Sequence, residues 1–158
     1  MDVNIHIRQP RVDEAQMLTT LVLRSKAYWG YSTDFMQRCV DELCISEDSL
    51  QNPNEHHFVA QVGNRLVGYC RLVAVSATEG DLEALFVAPE SIGCGVGRQL
   101  FLNTKQVAIS LGLKTLTIQS DPNAAEFYCS MGAVHIGEQP SGSIPGRSLP
   151  LFIVDLYQ

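Results

Sequence analysis

Residues 85–100, LFVAPESIGCGVGRQL, run from an apolar strand pattern through three alternating glycines into an amphipathic helix. A chain with this segment must deliver a strand into a tight turn and start a helix there at once. The first N–H groups of a helix have no intrahelical partners, and its dipole is positive at that end. Glycine lets such a backbone approach an oxyanion with no Cβ in the way, so Gly93–Arg98 forms an anion site on physical grounds alone. A plain glycine turn without a ligand is the competing reading. A phosphate loop of the G-x-x-x-x-G-K-[ST] type needs a lysine and a hydroxyl after its last glycine, and Arg98-Gln99 follow Gly97. A dinucleotide fingerprint needs G-x-G-x-x-G, but here the third glycine comes one residue early and Arg98 stands in its place.

The surroundings of the loop read as alternating sheet and helix. Val3–Arg8 alternates apolar and polar residues as a first strand. From Val12 the spacing turns helical, with Val12, Ala15, Leu18, Val22 and Trp29 able to share a face before Gly30. A second helix follows Thr33, whose hydroxyl can cap Met36, and runs to about Ile45. Ser46–Glu55 is polar and reads as loop. His57–Val62 and Leu66–Ser76 are strands joined at Gly63–Asn64, and Asp81–Val87 follows a Glu79–Gly80 turn. The glycine helix runs to Leu111 and stops at Gly112, with Val96, Leu100, Val107 and Leu111 near one stripe. Lys114–Gln119 is a strand. Asp121-Pro122 starts a short helix that Gly132 ends, and Ala133–Gly137 and Leu151–Tyr157 are the last strands. Residues 138–150 between them have loop composition. The order β-α-α-β-β-β-α-β-α-β-β predicts an α/β (α+β) domain spanning residues 1–158. Its core is a mixed, mostly antiparallel twisted sheet of about seven strands flanked by about four helices.

Composition narrows the function. The chain has 158 residues, 46% hydrophobic, with 17 acidic against 11 basic side chains and a net charge of −6. That balance disfavours nucleic acid as a partner but says nothing against a small anion held by backbone amides. Five scattered cysteines without a C-x-x-C pair argue against a disulfide framework or a zinc site. His56 and His57, adjacent on a strand, point to opposite faces and make a poor metal site. Cys129 reads as a core residue. With no apolar leader and no membrane-length apolar run, a cytoplasmic protein without membrane association is expected.

The stretch LEALFVAPESIGCGVGRQLF is similar to the acetyl-coenzyme A-binding motif of the GNAT superfamily of acyl-CoA N-acyltransferases. DPNAAEFYCSMGAVHIG resembles that family's second signature, a short helix bearing Asn, Phe-Tyr and then Gly. Chain length, strand order and motif spacing agree, so the resemblance extends over essentially the whole chain. It implies the GNAT fold and, as co-substrate, acetyl-CoA without a metal. The pyrophosphate would be held by the amides of Gly93, Gly95, Gly97 and Arg98, with Ile92, Cys94 and Val96 completing the cofactor-binding stretch. The family pattern opens with Gln or Arg where Ile92 stands, and Ile92 offers only its backbone. The pantetheine arm would lie along Leu85, Phe86 and Val87, with an amide near Phe86 facing the thioester carbonyl. Asn123 and Phe127 complete the expected cofactor contacts.

By the same resemblance Tyr128 is the general acid to the coenzyme A sulfur, against an alternative in which it only packs beside Phe127. Glu83 is the candidate general base, with a solvated strand carboxylate or a base-free route through ordered water as alternatives. Period-two alternation puts Glu83 on the face of Leu85 and Val87. Tyr28, Trp29 and Tyr31 could wall an acceptor pocket or embrace an ammonium by cation–π contact, with Trp29 capping the core as the alternative. Arg147 could meet a substrate carboxylate or equally a surface acid. The implied activity is direct acetyl transfer from acetyl-CoA to a primary amine of a small molecule. Peptide or protein acetylation, and a non-catalytic acyl-CoA-binding regulatory module, are the alternatives. A homodimer is compatible with the resemblance.

Overall fold

In a computed structural model that describes residues 4–157, seven strands lie in the order β1-β2-β3-β4-β5-β7-β6. They are β1 His6–Arg8, β2 Glu55–Val62, β3 Arg65–Ala74, β4 Glu79–Val87, β5 Thr115–Gln119, β6 Val134–Pro140 and β7 Ser148–Asp155. Every neighbouring pair is antiparallel except β4 and β5. This is the mixed, mostly antiparallel sheet that the strand order predicts. Val3, placed in the first strand from sequence, lies outside the described residues.

The helices are α1 Ala15–Ala27, α2 Thr33–Leu43, α3 Glu47–Gln51, α4 Val96–Ser110 and α5 Ala125–Ser130. They divide between two layers because β2, β3 and β4 carry apolar residues on both faces. On one side Leu18, Leu21 and Val22 of α1 pack on Val59, Tyr69 and Ala84. On the other, Val96, Leu100 and Phe101 of α4 and Tyr128 of α5 pack on Phe58, Cys70, Leu72 and Ile118. Burying both faces of the central strands gives the domain two cores on one sheet.

Several local expectations change. Ser46–Glu55 is not all loop: Ser46 accepts a hydrogen bond from the Ser49 N–H and starts the single-turn helix α3. Ser32, not Thr33, caps α2, accepting from Phe35 N at 3.1 Å. Glu79 and Gly80 belong to β4, and the turn lies earlier, where Ser76 accepts from Thr78 and Glu79. Trp29 leaves the α1 face, since the helix ends at Ala27 and the ring is 45% exposed. On α4 the buried stripe runs through Phe101, Thr104 and Ala108, which leaves Leu111 exposed. Strands β6 and β7 extend into the Pro/Gly-rich segment, so the connecting loop shrinks to residues 141–147.

Candidate active site

Strands β4 and β5 pair only over Glu79–Asp81 with Thr115–Thr117, then separate. Past Asp81, one edge of β4 has no strand partner. Two cavities of about 440 Å³ each open here, and both are bordered by Lys26, Leu85, Phe86, Asp121 and Ala124. The splayed strands thus create one continuous site with two chambers.

The first chamber is built on the glycine loop. Gly93 and Gly95 have φ of +83° and +86°, and nothing stands within 4 Å of where a Cβ would be. In this left-handed region a side chain would be strained, so glycine is what lets the loop turn its amides toward the start of α4. The first turn of α4 holds no acidic residue. Ile92, Gly93, Gly95, Val96, Gly97 and Arg98 border the chamber from this side. Leu85, Phe86 and Val87 border it from β4, and Asn123 and Phe127 from the segment after β5. Of the residues expected to hold the cofactor, only Cys94 is outside the chamber wall, exposed on the loop. Trp29 also lines this chamber, whereas Tyr28, stacked edge-on against it at 5.0 Å, borders neither.

The second chamber lies on the α1 side of the sheet. Its ionisable lining comprises Glu42 from α2, Asp81 and Glu83 from β4, Arg71 from β3, with Lys26 and Asp121 at the junction. Register explains Glu83. Arg71 pairs with Ala84 and Leu72 with Leu82, so Glu83 is the extra residue of a β-bulge. The bulge breaks the alternation expected from sequence. Leu82 takes the same core as Leu85 and Val87, while Glu83 turns to the opposite side and meets Arg71 Nε at 3.4 Å. Arg71 also faces Glu55 at 4.0 Å, and its Nε, although buried, meets no acceptor in hydrogen-bonding geometry. Burial pushes the Glu83 carboxyl above the ordinary carboxylate range; Arg71 opposes this, and Asp81 and Glu55 add to it. A carboxylate whose proton affinity is raised is the stronger base once ionised.

Asp121 joins the chambers. Its carboxylate accepts from Lys26 and from the Tyr31 hydroxyl at 2.8 Å, with Arg147 at 3.8 Å. Asn123 Nδ2 donates to Asp121 at 2.9 Å and to Tyr31 Oη at 3.0 Å, and Arg147 donates to the same phenol at 3.0 Å. Burial opposes ionisation of Asp121, but Lys26 and these donors outweigh it and hold the carboxyl below its usual range. Burial beside this carboxylate pushes the Tyr31 phenol up to about 12. Tyr31 and Phe35 stack with centroids 4.1 Å apart, and the Arg147 guanidinium lies 4.8 Å from the Phe35 ring. Tyr31 and Arg147 are thus brought together from opposite ends of the chain. Both are engaged with Asp121.

Tyr128 lines the second chamber, four residues along the chain from Ala124, which borders both. Its ring packs against Phe101, Phe127 and Phe152. Burial pushes its phenol well above the usual value, so the proton stays on the oxygen at working pH. Cys129, expected in the core, is exposed, because α5 turns Tyr128 inward instead.

Lys26, Arg71, Tyr69 and Asp121 belong to the site although sequence reasoning did not single them out. Asp121 is legible only as the helix cap it also is, accepting from Asn123 N at 2.9 Å. For Tyr69 and Arg71, the signal is alternation on β3, which puts both on the face of α1. Among the described residues, no group of three or more His, Cys, Asp or Glu is placed to hold a metal ion.

The profile of the acetyltransferase (GNAT) domain matches residues 22–141. The fold is similar to that of PaiA N-acetyltransferase from Thermoplasma acidophilum, solved with coenzyme A. That match has a TM-score of 0.81 at 16% identity, over 96% of this chain and 99% of the other. It is also similar to aminoglycoside 6'-N-acetyltransferase complexed with coenzyme A, with a TM-score of 0.75 at 16% identity over 97% and 98%. A third likeness is to yncA from Salmonella typhimurium with its cofactor acetyl-CoA, with a TM-score of 0.72 at 17% identity over 98% and 95%. With three quarters of its length matched and the seven-stranded fold in place, the chain belongs to the GNAT acetyltransferase family.

Proposed function

We propose that the protein is an N-acetyltransferase that moves the acetyl group of acetyl-CoA directly to a primary amine of a small cationic molecule in the cytoplasm. The observation that carries this reading is the continuous two-chamber site at the β4–β5 gap. It has an anion loop at one end and an acid-rich lining at the other. The first chamber fits a coenzyme A: a glycine loop running into a helix whose first turn holds no carboxylate, Arg98, and an unpaired strand edge. Gly93–Arg98 would hold the pyrophosphate, and Leu85–Val87 would take the extended arm as an added strand.

When bound, acetyl-CoA supplies an acyl group already activated toward attack by an amine. The chain's residues do the rest. Glu83 takes a proton from the incoming ammonium, directly or through water, and so frees the nitrogen lone pair. The β4 amide near Phe86 stabilises negative charge on the carbonyl oxygen. Tyr128 gives its phenolic proton to the departing sulfur. A lining with four carboxylates against two cations favours a positively charged acceptor. The second chamber is lined on several sides, by residues of α1, α2, β3, β4, β5 and β7. Residues 141–147 fold back on α2, with Cys39 Sγ 3.6 Å from Ser143 Oγ. That supports a small molecule over a peptide. The five free cysteines suit a reducing compartment.

Thiol release from acetyl-CoA, measured against small primary amines and against peptides with free amino termini, tests the reading. Turnover is expected with small amines. Binding of acetyl-CoA without turnover on any amine would favour a regulatory module, and a preference for peptides would replace the small-molecule assignment.

A further inference from the structure

Beneath the second chamber lies a chain of buried polar groups that the mechanism above does not use. His57 on β2 is 4% exposed, and Tyr69 on β3 is 1% exposed. His57 Nε2 is 2.9 Å from the Ser49 carbonyl oxygen, and its Nδ1 is 2.7 Å from Tyr69 Oη. A carbonyl can only accept, so Nε2 carries the proton and neutral His57 presents a lone pair at Nδ1. Burial holds this imidazole below its usual pKa and so keeps it neutral. The Tyr69 hydroxyl must therefore donate to His57. Its own lone pairs are left for a donor, and the neighbouring cation is Arg71, two residues along β3 from Tyr69 and opposite His57 in the β2–β3 register.

Arg71 is the cation that stands beside Glu83. It stands 3.4 Å from Glu83 and 4.0 Å from Glu55, without a tight hydrogen bond from Nε to either. Glu55 is itself held by the Ser49 hydroxyl at 2.7 Å. The charges around Glu83 are thus Arg71, Glu55 and its strand neighbour Asp81. Lys26 of α1 and Glu42 of α2 enter the same chamber, while Lys26 is already paired with Asp121. His56 lies beside His57, next to Glu55. No other cation lining the chamber is close enough to Glu83 to form an ion pair among the described residues.

We propose that His57 is a positioning residue: by fixing the Tyr69 hydroxyl as a donor to itself, it keeps Arg71 shared between Glu55 and Glu83, so that Glu83 stays free to act as a base. Without the Nδ1 acceptor, the Tyr69 hydroxyl turns to donate to a carboxylate and releases the guanidinium. Arg71 then closes on Glu83 in the bidentate pair that arginine favours. A tightly paired carboxylate has a lower pKa and is a weaker base. This inference rests on the assignment of Glu83 as base, and it reaches further by naming what maintains it.

Two substitutions separate the positioning role from mere packing. In His57→Asn, the amide oxygen can take the place of Nδ1 as acceptor. In His57→Gln, the amide reaches toward Ser49 and leaves nothing at Nδ1. The readout is the pH profile of kcat/KM for the best amine acceptor, alongside acetyl-CoA affinity by calorimetry. His57→Gln and Tyr69→Phe are expected to move the acidic limb down by about one pH unit and to lower the plateau roughly tenfold. His57→Asn is expected to keep the wild-type limb, and acetyl-CoA affinity should stay within about twofold in all three. Equal shifts in both histidine variants, or none in His57→Gln, would overturn the inference. Nitrogen chemical shifts of His57 in the unaltered protein give a check that needs no variant. A protonated Nε2 and bare Nδ1 support the chain, and the opposite tautomer breaks it. Glu83→Gln is run in parallel: if its acidic limb persists, the base assignment itself fails, whatever the His57 variants do.

Discussion

Tyr128 sets the clearest division of labour at single-residue scale. Three phenylalanine rings hold its side chain, so removing the hydroxyl should leave the packing intact. Tyr128→Phe is expected to lower kcat by roughly a hundredfold or more while the acetyl-CoA dissociation constant moves less than about twofold. Full activity in that variant would reduce Tyr128 to a packing residue. Glu83 makes a different, pH-dependent case. Its carboxyl titrates above the usual range and must be ionised to accept a proton, so kcat/KM should rise as pH climbs through that value. Glu83→Gln should flatten this limb and cut the plateau about a hundredfold; a limb unchanged in position and height would leave the proton to ordered water. The place of Tyr128 on the cavity wall was legible from its motif. The orientation of Glu83 was not, because a bulge is a mismatch between two strands and leaves no mark in either strand alone.

At the scale of elements, the loop before α4 does its work through backbone conformation. Gly95 caps that helix at φ +86°, where an alanine costs about 1 to 2 kcal/mol and turns the amides away from the site. Gly97 is within the helix, and a Cβ there would meet Phe127 and Val87 at 3.4 and 3.5 Å, ordinary contact distances. Gly95→Ala should weaken acetyl-CoA at least about tenfold and lower the melting temperature, while Gly97→Ala, without backbone strain, should hold the melting temperature close to wild type. Similar losses in both would mean that space, not conformation, governs the loop. A second element-level device clasps β1 to the turn that begins α1. Arg8 reaches both oxygens of buried Glu14 at 2.9 Å, and Arg11 N donates to the same carboxylate at 2.7 Å. Donation from Arg8 is the main reason the Glu14 carboxyl falls to about 2. Its folded pKa lies below the unfolded one, so this contribution is complete above the ordinary glutamate pKa. It fades as pH falls from there toward about 2. Glu14→Gln should cost about 3 kcal/mol at neutral pH, with the deficit shrinking in acid, as chemical denaturation at several pH values would record. A deficit independent of pH would instead point to shape. Helix and strand existence was legible here from periodicity. The single turn α3 was not, because four polar residues around a lone Leu50 carry no period, and its Ser46 cap is visible only against Ser49.

Across the whole molecule, the net charge of −6 is distributed with a purpose that a simple sum does not convey. Amides and Arg98 make one chamber hospitable to an anion, and the carboxylates of the other invite a cation, within a single domain. Raising ionic strength from about 0.05 to about 0.5 M should therefore lower kcat/KM roughly threefold or more for a cationic acceptor, with less effect on an uncharged amine. Equal salt effects on both would remove electrostatic attraction from the account. The fold was legible at this scale because strand order and the two motifs constrain each other. The Asp121 hub was not: Lys26, Tyr31, Asn123 and Arg147 are separated along the chain by up to 121 positions and meet only when β4 and β5 part and the 141–147 loop returns. The central claim is direct transfer from thioester to amine at that parting of strands. It is tested most directly by mass spectrometry of enzyme and acceptor after mixing with isotopically labelled acetyl-CoA. Labelled acetyl-amine formed in step with free coenzyme A, and an enzyme mass unchanged before the amine is added, is the expected result. A labelled acetyl-enzyme that forms without amine and is consumed by it would contradict direct transfer, and an unlabelled acceptor with intact acetyl-CoA would contradict the activity itself.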